Sequence, residues 1–231
     1  MLVMVGGLLA ALPATQAADI TGKITLKGTA PKEKEIPQVK DDPNCGKLQT
    51  TTPTTHHYVV GPKGELANVV VSLVGVPSGS TGASAAPALM DQKNCEYSPV
   101  IFAVQTGQKI SIKNSDPVMH NVHSVPKEGS GNKEQNTAQQ PGQADLVFNF
   151  PSPEAFLKFQ CEVHGWMFAW VSVFDHPYFA VTDKEGNYTI KNVPPGKKYT
   201  VQVAHRKAGT ATSEVEVKDS GAKADFTLEA K

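Results

Sequence analysis

The chain has 231 residues, with 22 Lys and Arg balancing 22 Asp and Glu, 7 His and 3 Cys. No overall field gathers nucleic acid or an anionic membrane surface, so charge selects no partner and neither class is expected. The length admits one large or two small domains, and 19 Gly with 17 Pro between short β-prone runs favour an all-β fold of strands joined by turns.

Taken in chain order, residues 2–12 are a short apolar run followed by Pro13, Ala14, Thr15, Gln16 and Ala17. Small residues at that place suit cleavage after Ala17, so residues 1–17 read as a signal peptide and the protein as exported, periplasmic or extracellular. The run is shorter than the roughly 20 residues that span a bilayer, and no membrane span is expected. Residues 20–26 alternate apolar and polar side chains, and 67–74 are strongly β-prone, with a long loop between. Residues 18–75 thus form a group of N-terminal strands, and the Ser, Gly, Ala and Pro of 75–87 make 76–89 a flexible connection.

Further strands are expected at 100–104, 110–113, 146–150, 156–161 and 169–174, while the polar stretch 126–143 reads as a solvated loop. From Phe179 the rhythm changes to short alternating strands around Tyr188, Tyr199, Val201, Val203, Val215, Val217, Phe226 and Leu228. Residues 177–231 therefore read as a small antiparallel sandwich with no evident chemistry.

Chemistry concentrates in two places. Cys161, His164 and Met167 follow one another at steps of three, and His120 and His123 stand in Met119-His120-Asn121-Val122-His123. A thiolate, two imidazoles and a thioether are the donors of a mononuclear blue-copper site, because soft sulfur favours Cu(I) while imidazole tolerates both oxidation states. Zinc fits less well, since a Met ligand is foreign to its usual set. Leu157, Phe159 and Cys161 share one strand face, which turns the thiol inward at the strand's end. The plain alternative is a core thiol, a turn histidine and a methionine used as filling. His120 and His123 are three apart and lie on opposite faces of a strand, so only one of them can reach the metal. With Cys161 set aside, Cys45 and Cys95 remain as a disulfide or as two free thiols.

The run Asp116-Pro117-Val118-Met119-His120-Asn121-Val122-His123 and the compact Cys161-x2-His164-x2-Met167 loop resemble the cupredoxins, and within them the amicyanins. The resemblance covers about residues 95–175. It implies a Greek-key β-sandwich over 90–176 holding one type 1 copper, with His120, Cys161 and His164 as equatorial ligands and Met167 as the axial one. Asn121 would tie the two ligand segments together and donate towards the thiolate, and His123 would be a packed or exposed histidine. Redox protein partners would dock near His164, Trp166 and Phe168, with Gly165 and Trp170 beside them, Trp170 reading more readily as core. A binuclear centre needs a second cysteine where Glu162 and Val163 stand, and seven scattered histidines supply no further copper pairs, so no enzyme is expected. The alternatives to an electron shuttle are a copper carrier without redox turnover and a structural adhesion module with a vestigial site.

The run 182–196, with its Asp183-Lys184-Glu185-Gly186-Asn187-Tyr188 turn and Val193-Pro194-Pro195-Gly196, resembles the carboxypeptidase regulatory-like domain, a transthyretin-like β-sandwich. Residues 20–24 and 64–73 resemble the same family's earlier strands. Either the copper segment interrupts one sandwich built from both chain ends, or 67–74 opens the copper sandwich and the tail stands alone.

Overall fold

The computed structural model describes residues 17–231, so the apolar run expected of a leader lies outside the described residues. In chain order the elements are β1 (Ala18–Lys27), α1 (Pro37–Asp41), β2 (Val70–Val74), β3 (Ala88–Lys93), β4 (Glu96–Ser98), β5 (Ile101–Gln105), β6 (Ile110–Asn114), β7 (His120–Val125) and β8 (Gln135–Gln139). Then come β9 (Leu146–Phe148), β10 (Glu154–Gln160), β11 (Phe168–Phe174), β12 (Phe179–Val181), β13 (Asn187–Val193), β14 (Lys197–His205), β15 (Gly209–Val217), β16 (Ala222–Lys223) and β17 (Phe226–Glu229).

The fold is all-β, in four sheets that close around two separate cores. Alternation in β1 drives Ile20, Ile24 and Leu26 inward while Asp19 and Thr21 face solvent. That strand pairs with β13, Ile20 opposite Ile190, and with β17, Ile24 opposite Phe226. The facing sheet runs β12-β2-β14-β15, and Val71, Leu73, Val201 and Val203 pack from it into the same core. Strands from both chain ends thus share one sandwich, and residues 70–74 pair with the tail rather than with the segment between.

The intervening segment builds the second core from sheets β5-β11-β10-β7-β8 and β4-β3-β6-β9, around Phe102, Ile110, Ile112, Phe148, Phe150 and Phe159. The two bodies meet where Val70, Ile101 and Trp170 pack together. Two expectations need correction here. Residues 126–143 are not all loop, because 135–139 form β8 on the edge beside β7, its polar residues carrying no apolar alternation to announce a strand. Residues 75–87 are tied rather than free: Ser80 N–H donates to Asp175 O at 3.0 Å and Gly82 N–H to Thr106 O at 2.8 Å.

The long loop between β1 and β2 crosses to the second sandwich. Pro37 starts α1, where a missing N–H costs nothing. Val39 and Cys45 are buried in the second core, and Cys45 is disulfide-bonded to Cys95, with Cα atoms 5.7 Å apart. The strap's return is fixed by the Glu33 carboxylate, which accepts from His57 N–H at 2.8 Å and Tyr58 N–H at 2.6 Å. Among the described residues no helix is long and apolar enough to cross a membrane.

Candidate metal centre

Register brings the two ligand segments together. Antiparallel pairing of β7 with β10 sets Gln160 opposite His123, so His120 at the start of β7 and Cys161 just past β10 lie at the same end of neighbouring strands. Cys161 then enters a tight turn: Met167 N–H donates to His164 O at 2.8 Å, and Cys161 N–H to Met167 O at 3.3 Å. Steps of three along the chain are thereby folded back on themselves.

Nδ1 of His120 lies 2.9 Å from Nδ1 of His164, and Sγ of Cys161 lies 3.9 Å from the latter. Nitrogen and sulfur donors this close can share one ion at bond lengths of about 2.0–2.3 Å. All three side chains are buried, as is Met167, which packs in the same core cluster as Cys161. Thiolate and imidazole with a thioether at hand form a donor set that fits copper better than a hard cation.

The surroundings prepare these donors. Burial pushes the Cys161 thiol up, but His120 and the N–H groups of Asn121, Val163 and His164 outweigh it and hold the thiol below its ordinary pKa. Main-chain N–H groups of Asn121 and His164 point at the sulfur from 3.5 and 3.3 Å. Burial likewise pulls His120 down, yet contacts with Asp116 and Cys161 raise it above the usual histidine value. His164 is lowered by burial and by His120 beside it, which favours the neutral ring.

Asn121 bridges the two segments: its Oδ1 accepts from Glu162 N–H at 2.5 Å, and its amide bonds Asn136 on β8. Its contact with the sulfur comes from the main chain rather than the side chain. His123 faces away, with Nε2 at 2.6 Å from Glu134 Oε1 and Nδ1 on Glu162.

Two neighbours of the centre carry no sequence signal of their own. Buried Asp116 sits 2.9 Å from His120 Nε2 and accepts from the N–H groups of Asn94 and Cys95, both at 2.7 Å. That fixes which nitrogen of His120 faces the donors. The sequence offers Asp116 only as part of a strand break, since its partners lie 21 and 22 residues away. The second is the strap. An oxygen of Asp42, Cys45 Sγ and a ring nitrogen of His164 lie within 4.8 Å of one another, and Cys95, Asp116 and His120 form a similar group. Both cysteines being disulfide-bonded, neither offers a thiolate.

The apolar surface beside His164 is narrower than expected. His164 is 7% exposed, Trp166 is half-buried with its Nε1–H donating to Cys95 O at 3.1 Å, and Phe168 packs at a tilt against buried Trp170. Ile36 and Leu48 of the strap pack on the core cluster that Trp166 also joins. What faces solvent beside His164 is Val163, 50% exposed, and Gly165.

No protein-family model matches the chain, and no curated protein matches it. Solved structures do. A Cu-containing nitrite reductase from Thermus scotoductus SA-01 aligns at 15% identity and a TM-score of 0.36, over 44% of this chain and 28% of its own. This chain therefore spans well under half of that enzyme's length. A purple cupredoxin from Nitrosopumilus maritimus aligns at 22% identity and 0.32 over 37% of this chain and 98% of its own. The oxidised state of a proline-to-alanine variant of amicyanin gives 22% and 0.33 over 45% and 97%. Over less than half its length, the chain is similar to cupredoxins. The chemistry of the centre rests on its donors.

Proposed function

We propose that the chain is an exported blue copper protein that shuttles single electrons between redox proteins through one type 1 copper held by His120, Cys161, His164 and Met167. The segment 90–176 is then a copper sandwich inserted into a regulatory-like one made from both chain ends. One observation carries the reading: two imidazole Nδ1 atoms 2.9 Å apart and a buried thiol held below its ordinary pKa converge at one point. When bound, copper would supply a one-electron couple between Cu(I) and Cu(II).

The chain's own residues do the rest. Three N–H groups and His120 lower the Cys161 pKa and so favour the thiolate that a metal would bind. Asp116 holds the tautomer and angle of His120, and Asn121 fixes the separation of the two ligand segments. Burial excludes water from the donors, so they need not rearrange as the charge changes. His164, beside exposed Val163 and Gly165, is the most exposed of the four side chains and is the exit for the electron.

A second reading, a copper carrier, draws on the strap, which leaves His164 only 7% exposed. Loading the protein with copper separates the two. An intense blue, stoichiometric complex that bleaches with reductant and loses its colour in Cys161→Ser supports electron transfer. A colourless Cu(I) complex that passes its metal to an acceptor supports the carrier, and absence of stoichiometric copper refutes both.

A further inference from the structure

Beside the ligand loop lies a cleft that electron transfer through His164 does not use. Its volume is about 450 Å³. Cys161, Met167, Phe168 and Trp170 bound it on the copper-site body, and Arg206 and Lys207 reach it from the turn between β14 and β15 of the other sandwich, with Lys158 nearby. It is therefore a site that neither body makes alone.

The cationic side is pre-set. The Arg206 guanidinium lies 3.3 Å from the centroid of the Trp170 ring, a planar cation stacked on an aromatic face. The turn that carries it is fixed from below: buried His205 accepts at Nδ1 from Lys207 N–H at 3.3 Å and Ala208 N–H at 3.0 Å, and its ring packs on Tyr58 with centroids 5.2 Å apart. Among the described residues, no carboxylate lies in ion-pair contact with Arg206, Lys207 or Lys158. Glu162, on the same wall, is engaged by His123 and by Gln160 Nε2 at 2.7 Å. The field is felt by neighbouring His57: burial first, then Lys207, Arg206 and Lys34, hold it below the usual histidine value despite Glu33.

Lys158 Nζ donates to Gln160 Oε1 at 2.6 Å and feels Glu162, which leaves Arg206 and Lys207 as the two cations beside Phe168 that call for a ligand with an anionic end and a flat apolar body. The cleft is half open to solvent, and about 450 Å³ is room for a small molecule. We propose that this cleft binds a small aromatic carboxylate, its carboxylate on Arg206 and Lys207 and its ring against Phe168, beside the face of Trp170 that Arg206 covers. The tail sandwich then acquires a role, supplying the cationic half of a site at the copper loop's flank.

Binding needs no metal, so it is tested on the metal-free full chain and stands or falls apart from the copper reading. Benzoate is titrated by calorimetry, and by Trp fluorescence in Trp166→Phe, which leaves Trp170 as reporter. Saturable binding, at least about tenfold tighter than for neutral benzamide and weakened by salt, is expected. Arg206→Gln and Lys207→Gln should each weaken benzoate by about tenfold, Lys207→Gln with the unfolding midpoint in place. Lys207→Gln keeps the test sound should Arg206→Gln disturb Trp170. Equal binding of benzoate and benzamide, no saturable benzoate binding, or full affinity in Lys207→Gln overturns the proposal. So does tight binding of polyglutamate without benzoate binding, which would make the cleft a docking surface for an acidic protein.

Discussion

Replacing Cys45 and Cys95 together by Ala tests whether the strap is held over the metal centre by its cross-link. The disulfide joins residues 50 apart in sequence, and the chain entropy such a loop removes from the unfolded state is worth about 4 kcal/mol at 25 °C. Against a total of about 5–15 kcal/mol for a folded domain, that is a large share. Both half-cystines are buried in the second core, so Ala leaves little polar residue behind and the change isolates the cross-link better than Ser would. Urea unfolding of the metal-free protein, followed by near-UV ellipticity, should show the second sandwich losing about 3–5 kcal/mol with its main-chain fold retained. The strap carries Asp42, Ile36 and Leu48 close to His164 and Trp166, so a chelator should also strip copper faster from the variant. A loss below about 1 kcal/mol would refute the entropic reasoning. Unchanged chelation kinetics alongside the expected loss would refute the idea that the strap covers the centre.

Single groups give further expectations. Met167→Leu should preserve copper binding and raise the reduction potential, read by redox titration of the visible band, because a thioether is removed without loss of the thiolate or imidazoles. Asp116→Asn should destabilise the metal-free protein by about 2–5 kcal/mol in urea, since one amide oxygen must replace a carboxylate that accepts from Asn94, Cys95 and His120. Acid should weaken the first sandwich through His205, whose pKa burial, Arg206 and His57 lower to about 4 against the opposing pull of Glu33. The folded ring stays neutral while the unfolded one, near 6.5, takes a proton. Its contribution is therefore complete above about pH 6.5 and lost as pH falls to about 4, on the order of 3 kcal/mol. A flatter stability profile across that window in His205→Asn checks the assignment.

The convergence of His120, Cys161 and His164 was legible because a short turn leaves its donor side chains at fixed spacing, and because strand parity through Leu157, Phe159 and Cys161 fixes where the thiol points. Parity failed where inward positions are polar. In β3 the inward residues include Gln92, while Leu89 is 57% exposed, so the pattern reads as no strand at all. The reason lies in side-chain pairing across sheets: Gln92 Nε2 donates to Gln139 Oε1 at 2.6 Å, and Gln139 Nε2 to Ile112 O at 3.0 Å. Buried amides bonded to each other and to main-chain carbonyls replace the apolar alternation that would have revealed both β3 and β8. Asp116 escaped for a related reason, since its carboxylate is held by main-chain N–H groups, which no side-chain pattern records.

The strap and the cationic turn were hidden by distance rather than by chemistry. Nothing local in residues 36–48 says that Val39 and Cys45 belong to a core formed mostly after residue 90, and nothing near Arg206 points to Trp170. Both depend on the same architectural fact, that strands from the two chain ends close one sandwich with the second sandwich held between them. Threading the chain this way sends it past the ligand loop twice, once in the strap and once at the turn after β14. Each passage leaves charged groups there, Asp42 beside His164 and Arg206 over Trp170. A copper body cut free of its sandwich would keep every ligand but lose both neighbours, so its metal should exchange more readily and its flank should bind no carboxylate.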